Sequence, residues 1–173
     1  MPRVSFVDET KVALDEKLLE AIRARRKGGH LRPTDRIVLH SEPLARGWNA
    51  LFTALTTQTE IDTLTRELVL LRVAQLLGGE YELQVHLAVA RDAGMAEAKI
   101  QAIAGWRASD LFDARERAIL GYAEEMTTQI RVSQATYEEV RQFTTERQLV
   151  ELSALVGAYN MSCRFMEALE LRP

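Results

Sequence analysis

The sequence predicts an all-α fold, on three observations. Ala, Leu, Glu, Arg and Gln dominate its 173 residues, a mix that favours helix. Only four prolines and nine glycines interrupt the chain, so helix breakers are few. Apolar residues recur at helical spacing along most of its length, and no stretch shows a competing strand-like alternation.

The elements follow in order. Residues 9–28 read as a first helix, with Val12, Leu14, Leu18, Leu19 and Ile22 as its apolar face and Gly28-Gly29 as its end. Residues 30–40 read as a connector containing Pro33. Ser41 or Glu42 starts the next helix, which tolerates Pro43 in its first turn and runs to about Thr56. Asp62 or Thr63 caps a helix ending near Leu77. Another spans 80–93 and closes at Gly94, a natural residue just past a helix end. A short helix covers 96–104. Asp113 caps 114–130, where Ile119, Tyr122, Met126 and Ile130 repeat at helical spacing. Ser133 opens 134–144, and the last helix, 146–170, carries Leu149, Leu152, Val156, Tyr159, Cys163 and Met166 as its stripe. RELVLL at 66–71 and RQLVEL at 147–152 form a faint internal echo.

Composition narrows the function classes. The net charge of −3 provides no electrostatic footprint for nucleic acid. The basic run Arg23, Arg25, Arg26, Lys27 and Arg32 reads as a solvated helix end, with no interleaved aromatic to suggest a phosphate track. One cysteine, Cys163, excludes an intrachain disulfide and any multi-cysteine metal site. No apolar run is long enough for a membrane span, and the first residues lack a secretory apolar core, so the expected location is the cytoplasm.

Residues 65–94 hold the most informative pattern: two helices joined at Gly78-Gly79, with Glu67, Glu82 and His86 set among apolar residues. Acids and imidazoles are costly to bury, so these positions call for a reason. A helical wheel surrounds Glu67 with apolar residues on nearly every side. It puts Glu82 and His86, one turn apart, on one inward face, with Glu80, Gln84, Arg91 and Asp92 opposite. Such a pair tunes both groups as proton donor and acceptor. A surface ion pair or a satisfied core histidine is the bland alternative, and no third metal ligand is evident. If the helices fold back as straight antiparallel rods, Glu67 and His86 end about 6 Å out of step, too far for direct contact.

At these residues the chain resembles the carboxymuconolactone decarboxylase family, which includes the alkylhydroperoxidase D-like proteins. That pattern has a Glu on one helix and CxxCxxxH at the start of the next. Here the Glu matches Glu67, the cysteine positions fall on Gly79 and Glu82, and the His matches His86. LHSEPLARGWNALF at 39–52 and LVGAYNMSCRFMEAL at 155–169 also resemble the family. The resemblance implies a single-domain orthogonal helical bundle of the alkylhydroperoxidase D-like type. Residues 1–34 would then be an N-terminal helix and connector, and 35–173 the family domain. It also implies a homo-oligomer, trimer or hexamer.

The peroxidase branch works through two close sulfurs. With neither motif cysteine present, thiol peroxidase chemistry is not expected. The decarboxylase branch needs no thiol. It loses carbon dioxide from a small carboxylated lactone and reprotonates an enolate-like carbon, which requires an acid, a cation for the carboxylate and apolar walls. The resemblance thus implies His86 as general acid/base, Glu67 and Glu82 as groups that orient or charge it, and Arg46, Tyr81 and Arg164 as substrate contacts, although structural salt bridges also suit the arginines. No cofactor and no metal enter this chemistry. The alternative is a non-catalytic oligomeric scaffold that binds a small ligand.

Overall fold

A computed structural model of the protein describes residues 2–11 and 14–172. Among these residues every regular element is helical. The chain forms two compact units, one of the residues up to Gln58 together with Ala168–Arg172, the other Thr59–Glu167. Packing thus divides the chain at 58/59; the 34/35 boundary concerns where the family resemblance begins and remains a proposal.

The first unit contains α1 (Glu16–Ala24), α2 (Pro33–Val38) and α3 (Glu42–Thr57). The first helix is shorter than the 9–28 expected, because Asp15 caps it by accepting from the Lys17 backbone N–H at 2.9 Å. Leu18, Leu19 and Ile22 are buried, whereas Val12 lies outside the described residues. A 3₁₀ turn at Lys27–Gly29 follows. The expected connector is partly helical: Pro33 occupies the first turn of α2, where its missing N–H costs nothing, and Asp35 accepts from the Arg32 backbone N–H at 2.8 Å.

The same Asp35 corrects the reading of the basic run. Arg26 reaches its two carboxylate oxygens at 2.5 and 2.8 Å, and Arg25 lies 3.5 Å away. Both guanidinium side chains are about nine-tenths buried. These two residues form a buried ionic knot rather than a solvated helix end. On α3, Trp48 stacks on Phe52 with centroids 4.9 Å apart.

The second unit contains α4 (Thr63–Leu77), α5 (Glu80–Asp92), α6 (Glu97–Ala102), a 3₁₀ segment at Ile103–Ala108, α7 (Ala114–Gln129), α8 (Gln134–Arg141) and the body of α9 (Glu146–Ala168). Sequence caps hold: Asp62 caps α4, Asp113 and Glu116 form a reciprocal capping box on α7, and Ser133 caps α8. Thr145 and Gln148 cap α9 in the same reciprocal way, at 3.1 and 3.0 Å. The core is built from Leu68 and Leu71 of α4, Ala90 of α5, Ile100, Ile103, Trp106, Phe112 and Leu120.

One stripe residue departs from expectation. Ile130 is 86% exposed and sits past the end of α7 with φ +68°. A β-branched side chain rarely adopts that conformation. The helix has already ended there, so its periodicity no longer directs the side chain inward.

Candidate active site

Three helices of the second unit supply the site. α4 is buried nearly all round, as its wheel implies, and carries Glu67 at 1% exposure. Gly78 ends it in the left-handed region at φ +64°, which favours glycine, and the chain turns directly into α5. Glu82 and His86, separated by one turn of α5, are 6% and 7% exposed. Glu80, Gln84, Arg91 and Asp92 are exposed on the other side. α9 presents Tyr159, Ser162 and Cys163, all buried.

The side chains form a chain of polar contacts. His86 Nδ1 donates to Glu67 Oε2 at 2.6 Å. On the opposite edge of the ring, Nε2 faces Glu82 Oε2 at 3.4 Å. Ser162 Oγ donates to the other Glu82 oxygen, Oε1, at 2.5 Å. The second oxygen of Glu67 accepts from Arg66 Nε at 3.1 Å. Tyr159 packs edge-on against the imidazole, with centroids 5.1 Å apart. Direct contact between Glu67 and His86 overturns the straight-rod expectation of an offset too long to bridge. Helices that cross at an angle, with side chains leaning along the axes, close such a gap.

The electrostatics favour a charged imidazole. Burial by itself pushes the His86 pKa down, but hydrogen bonds to Glu67 and Glu82 and the charges of both carboxylates outweigh it, raising the pKa from 6.5 to about 9. At neutral pH His86 therefore carries both ring protons. Counting Glu67 and Glu82 as ionised, the two carboxylates, the imidazolium and the Arg66 guanidinium sum to zero charge. That balance makes the buried cluster tolerable. The carboxylates meet opposite ring edges rather than one point. Among the described residues, no group of three His, Cys, Asp or Glu side chains is arranged to hold a metal ion.

Cys163 is 1% exposed, and burial first, then the charges of Glu82 and Glu167, pushes its thiol up to about 12. It is protonated at neutral pH, and a protonated buried thiol is a poor nucleophile. Its position is unexpected all the same. A Cβ placed on Gly79, the residue that matches the first motif cysteine, would stand 2.7 Å from Cys163 Sγ.

The remaining sequence candidates are Tyr81, Arg46 and Arg164. Tyr81 is buried on α5 beside Glu82 in sequence. Arg46 is in the first unit, where its guanidinium pairs with Asp15 and with Glu42. Arg164 is exposed on α9, two residues beyond Ser162 and so about 200° round that helix. Sequence reasoning missed Ser162 and Arg66. A signal for Ser162 existed: a hydroxyl three residues after Tyr159 and four before Met166 sits on an otherwise apolar stripe. Arg66 had no such signal, since an arginine near a helix start is ordinary.

Comparison with known proteins agrees with this architecture. The model of the carboxymuconolactone decarboxylase family matches residues 42–125, a span that includes Glu67, Glu82 and His86 but not α9. The chain is 32% identical over 107 residues to the uncharacterised protein YdfG of Bacillus subtilis, covering 61% of this chain and 73% of that one. In structure it resembles the alkylhydroperoxidase AhpD core of an uncharacterised peroxidase-related protein from Ralstonia eutropha JMP134, with a TM-score of 0.85 and 19% identity over 99% of this chain and 92% of that one. The debrominase Bmp8, solved in complex with 2,3,4-tribromopyrrole, superposes with a TM-score of 0.82 and 17% identity over 96% and 89% of the two chains.

Proposed function

This chain belongs to the carboxymuconolactone decarboxylase family, and from that premise we propose that it is a proton-transfer enzyme of the decarboxylase type, acting on a small carboxylated lactone or related acid. The observation that carries this reading is the His86 ring set between two buried carboxylates, a setting that raises its pKa. In the proposed reaction the bond between the substrate carbon and its carboxylate breaks. Carbon dioxide leaves, the electron pair stays on carbon as an enolate-like anion, and His86 gives that carbon a proton. Solvent then restores the proton to His86.

The asymmetry of the contacts supports Nε2 as the donating edge. Nδ1 is tied to Glu67 at 2.6 Å, while the Nε2 contact at 3.4 Å is the looser of the two. Glu67, braced by Arg66, fixes the ring. The cluster is buried, with Glu82 6% and His86 7% exposed, so a substrate would reach Nε2 by displacing the side chains around Glu82. Of the proposed substrate contacts, Tyr81 adjoins this edge in sequence. Arg164 would have to turn in from its exposed position on α9 to meet a substrate carboxylate, and Arg46 is proposed on the family resemblance alone.

The test is carbon dioxide release by purified protein from a panel of small carboxylated lactones, with and without His86→Ala. Turnover that disappears in a variant of unchanged circular dichroism supports the reading. Wild-type-like turnover by that variant would remove His86 from the mechanism. A second reading, a homo-oligomeric scaffold that binds a small ligand without reacting it, draws on the same closed geometry, because both ring nitrogens already have partners. Saturable binding of a lactone with no carbon dioxide released favours it.

A further inference from the structure

α9 lies outside the span matched by the family, yet it contributes a polar atom to the centre of the site. We propose that Ser162 is a positioning residue: its Oγ, donating to Oε1 of Glu82, fixes that carboxylate so that Oε2 faces His86 Nε2. The inference rests on the proton-transfer reading above and adds a third helix to the machinery.

Glu82 is on the same helix as His86, and the terminal torsion of a glutamate side chain has broad intrinsic rotational freedom. A hydrogen bond to one oxygen removes that freedom and aims the other. Ser162 is itself 1% exposed and Glu82 6%, so the bond is screened from bulk solvent. A short bond from a hydroxyl to a carboxylate is among the stronger hydrogen bonds proteins make. The serine is also held in place: Cys163, the next residue, fills the space where a side chain at Gly79 would lie, which pins α9 against the start of α5.

The charged and titratable groups around Glu82 come from each packed helix. His86 lies on its own helix and Glu67 with Arg66 on α4, while α9 brings Cys163, whose thiol feels the Glu82 charge, and Glu167. In this setting Ser162 stabilises the ionised form of Glu82 and keeps the proton on His86. Without the hydroxyl, the ionised form of Glu82 is less stabilised and the Nε2 edge loses its partner of fixed orientation.

The experiment follows the Glu82 carboxyl carbon by ¹³C NMR across pH in wild type, Ser162→Ala and Ser162→Thr. A hydrogen bond to a charged group corresponds to a rise of about one to two pH units in the Glu82 midpoint on its loss. Ser162→Ala is expected to show that rise, and Ser162→Thr, which keeps the hydroxyl, to reverse most of it. A purely structural serine would change the thermal midpoint without moving the Glu82 titration. An unchanged Glu82 midpoint in a folded Ser162→Ala protein overturns the proposal, as does a folded Ser162→Thr protein that titrates like the alanine variant. This readout needs no substrate, so a wild type that turns over no lactone defeats the decarboxylase reading and leaves the NMR comparison to decide the role of Ser162.

Discussion

The thiol of Cys163 occupies the space into which a side chain at Gly79 would project: a Cβ there would lie 2.7 Å from Sγ and 3.1 Å from the Cys163 Cβ. The two residues are far apart in sequence, yet each sets what the other is allowed to be. Gly79 has φ −75°, which any residue adopts, so the demand for glycine comes from this approach and not from the backbone.

Gly79→Ala is therefore expected to destabilise the fold by about 1–3 kcal/mol through overpacking. Cys163→Ala removes the obstructing sulfur. Urea denaturation of the two single variants and the double variant forms a cycle, and the double variant should recover the part of the alanine penalty due to the sulfur, the Cβ contact at 3.1 Å remaining. Additive losses would show that the clash is relieved elsewhere.

Cys163 itself should be chemically quiet. With its pKa pushed up to about 12, roughly one thiol in 10⁵ is ionised at pH 7. Alkylation by iodoacetamide in native buffer should be slower than in urea by orders of magnitude, and hydroperoxide should not be consumed. Fast labelling of the folded protein would contradict this burial.

His86 makes stability depend on pH with a definite sign. Its folded pKa, about 9, lies above its ordinary 6.5. The stabilisation is fully present below pH 6.5 and is lost as pH rises through about 9. The whole effect is on the order of 3 kcal/mol. Denaturation midpoints measured from pH 6 to 10 should fall more steeply in wild type than in His86→Gln, which has no such titration. Parallel curves for the two proteins would count against a protonated His86.

Removing the imidazole should cost more than its area implies. His86→Ala leaves Glu67 and Glu82 buried without their shared cation, and breaking a buried ion pair costs about 3–5 kcal/mol. Glu67→Gln in the same background removes one of the two buried carboxylates, the one that Arg66 still meets at 3.1 Å. Urea denaturation should show that it restores part of the loss. If Glu67→Gln deepens the loss instead, Arg66 by itself is enough to satisfy the Glu67 carboxylate.

Much of the molecule was legible from local pattern. Helix periodicity, the caps at Asp62, Asp113 and Ser133, and the apolar stripe of α9 all follow from neighbours a few residues apart, and the structure carries each of them. The inward face shared by Glu82 and His86 follows in the same way, because 3.6 residues per turn puts i and i+4 together. Where local pattern ended, so did foresight. Ile130 continued the spacing of α7 past the point where the helix stops, and Arg25 and Arg26 looked like a solvated end until Asp35 came back to meet them.

The sequence by itself determined where most of the helices lie, most of the faces that turn inward and which ionisable groups ride on those faces. Only the tertiary structure decided that Glu67 touches His86, that Ser162 holds Glu82, and that Cys163 fills the space beside Gly79. The reason is geometric. A helical wheel records angle about one axis, and a contact between helices also depends on the distance and crossing of two axes, which are set by side chains distant in the chain.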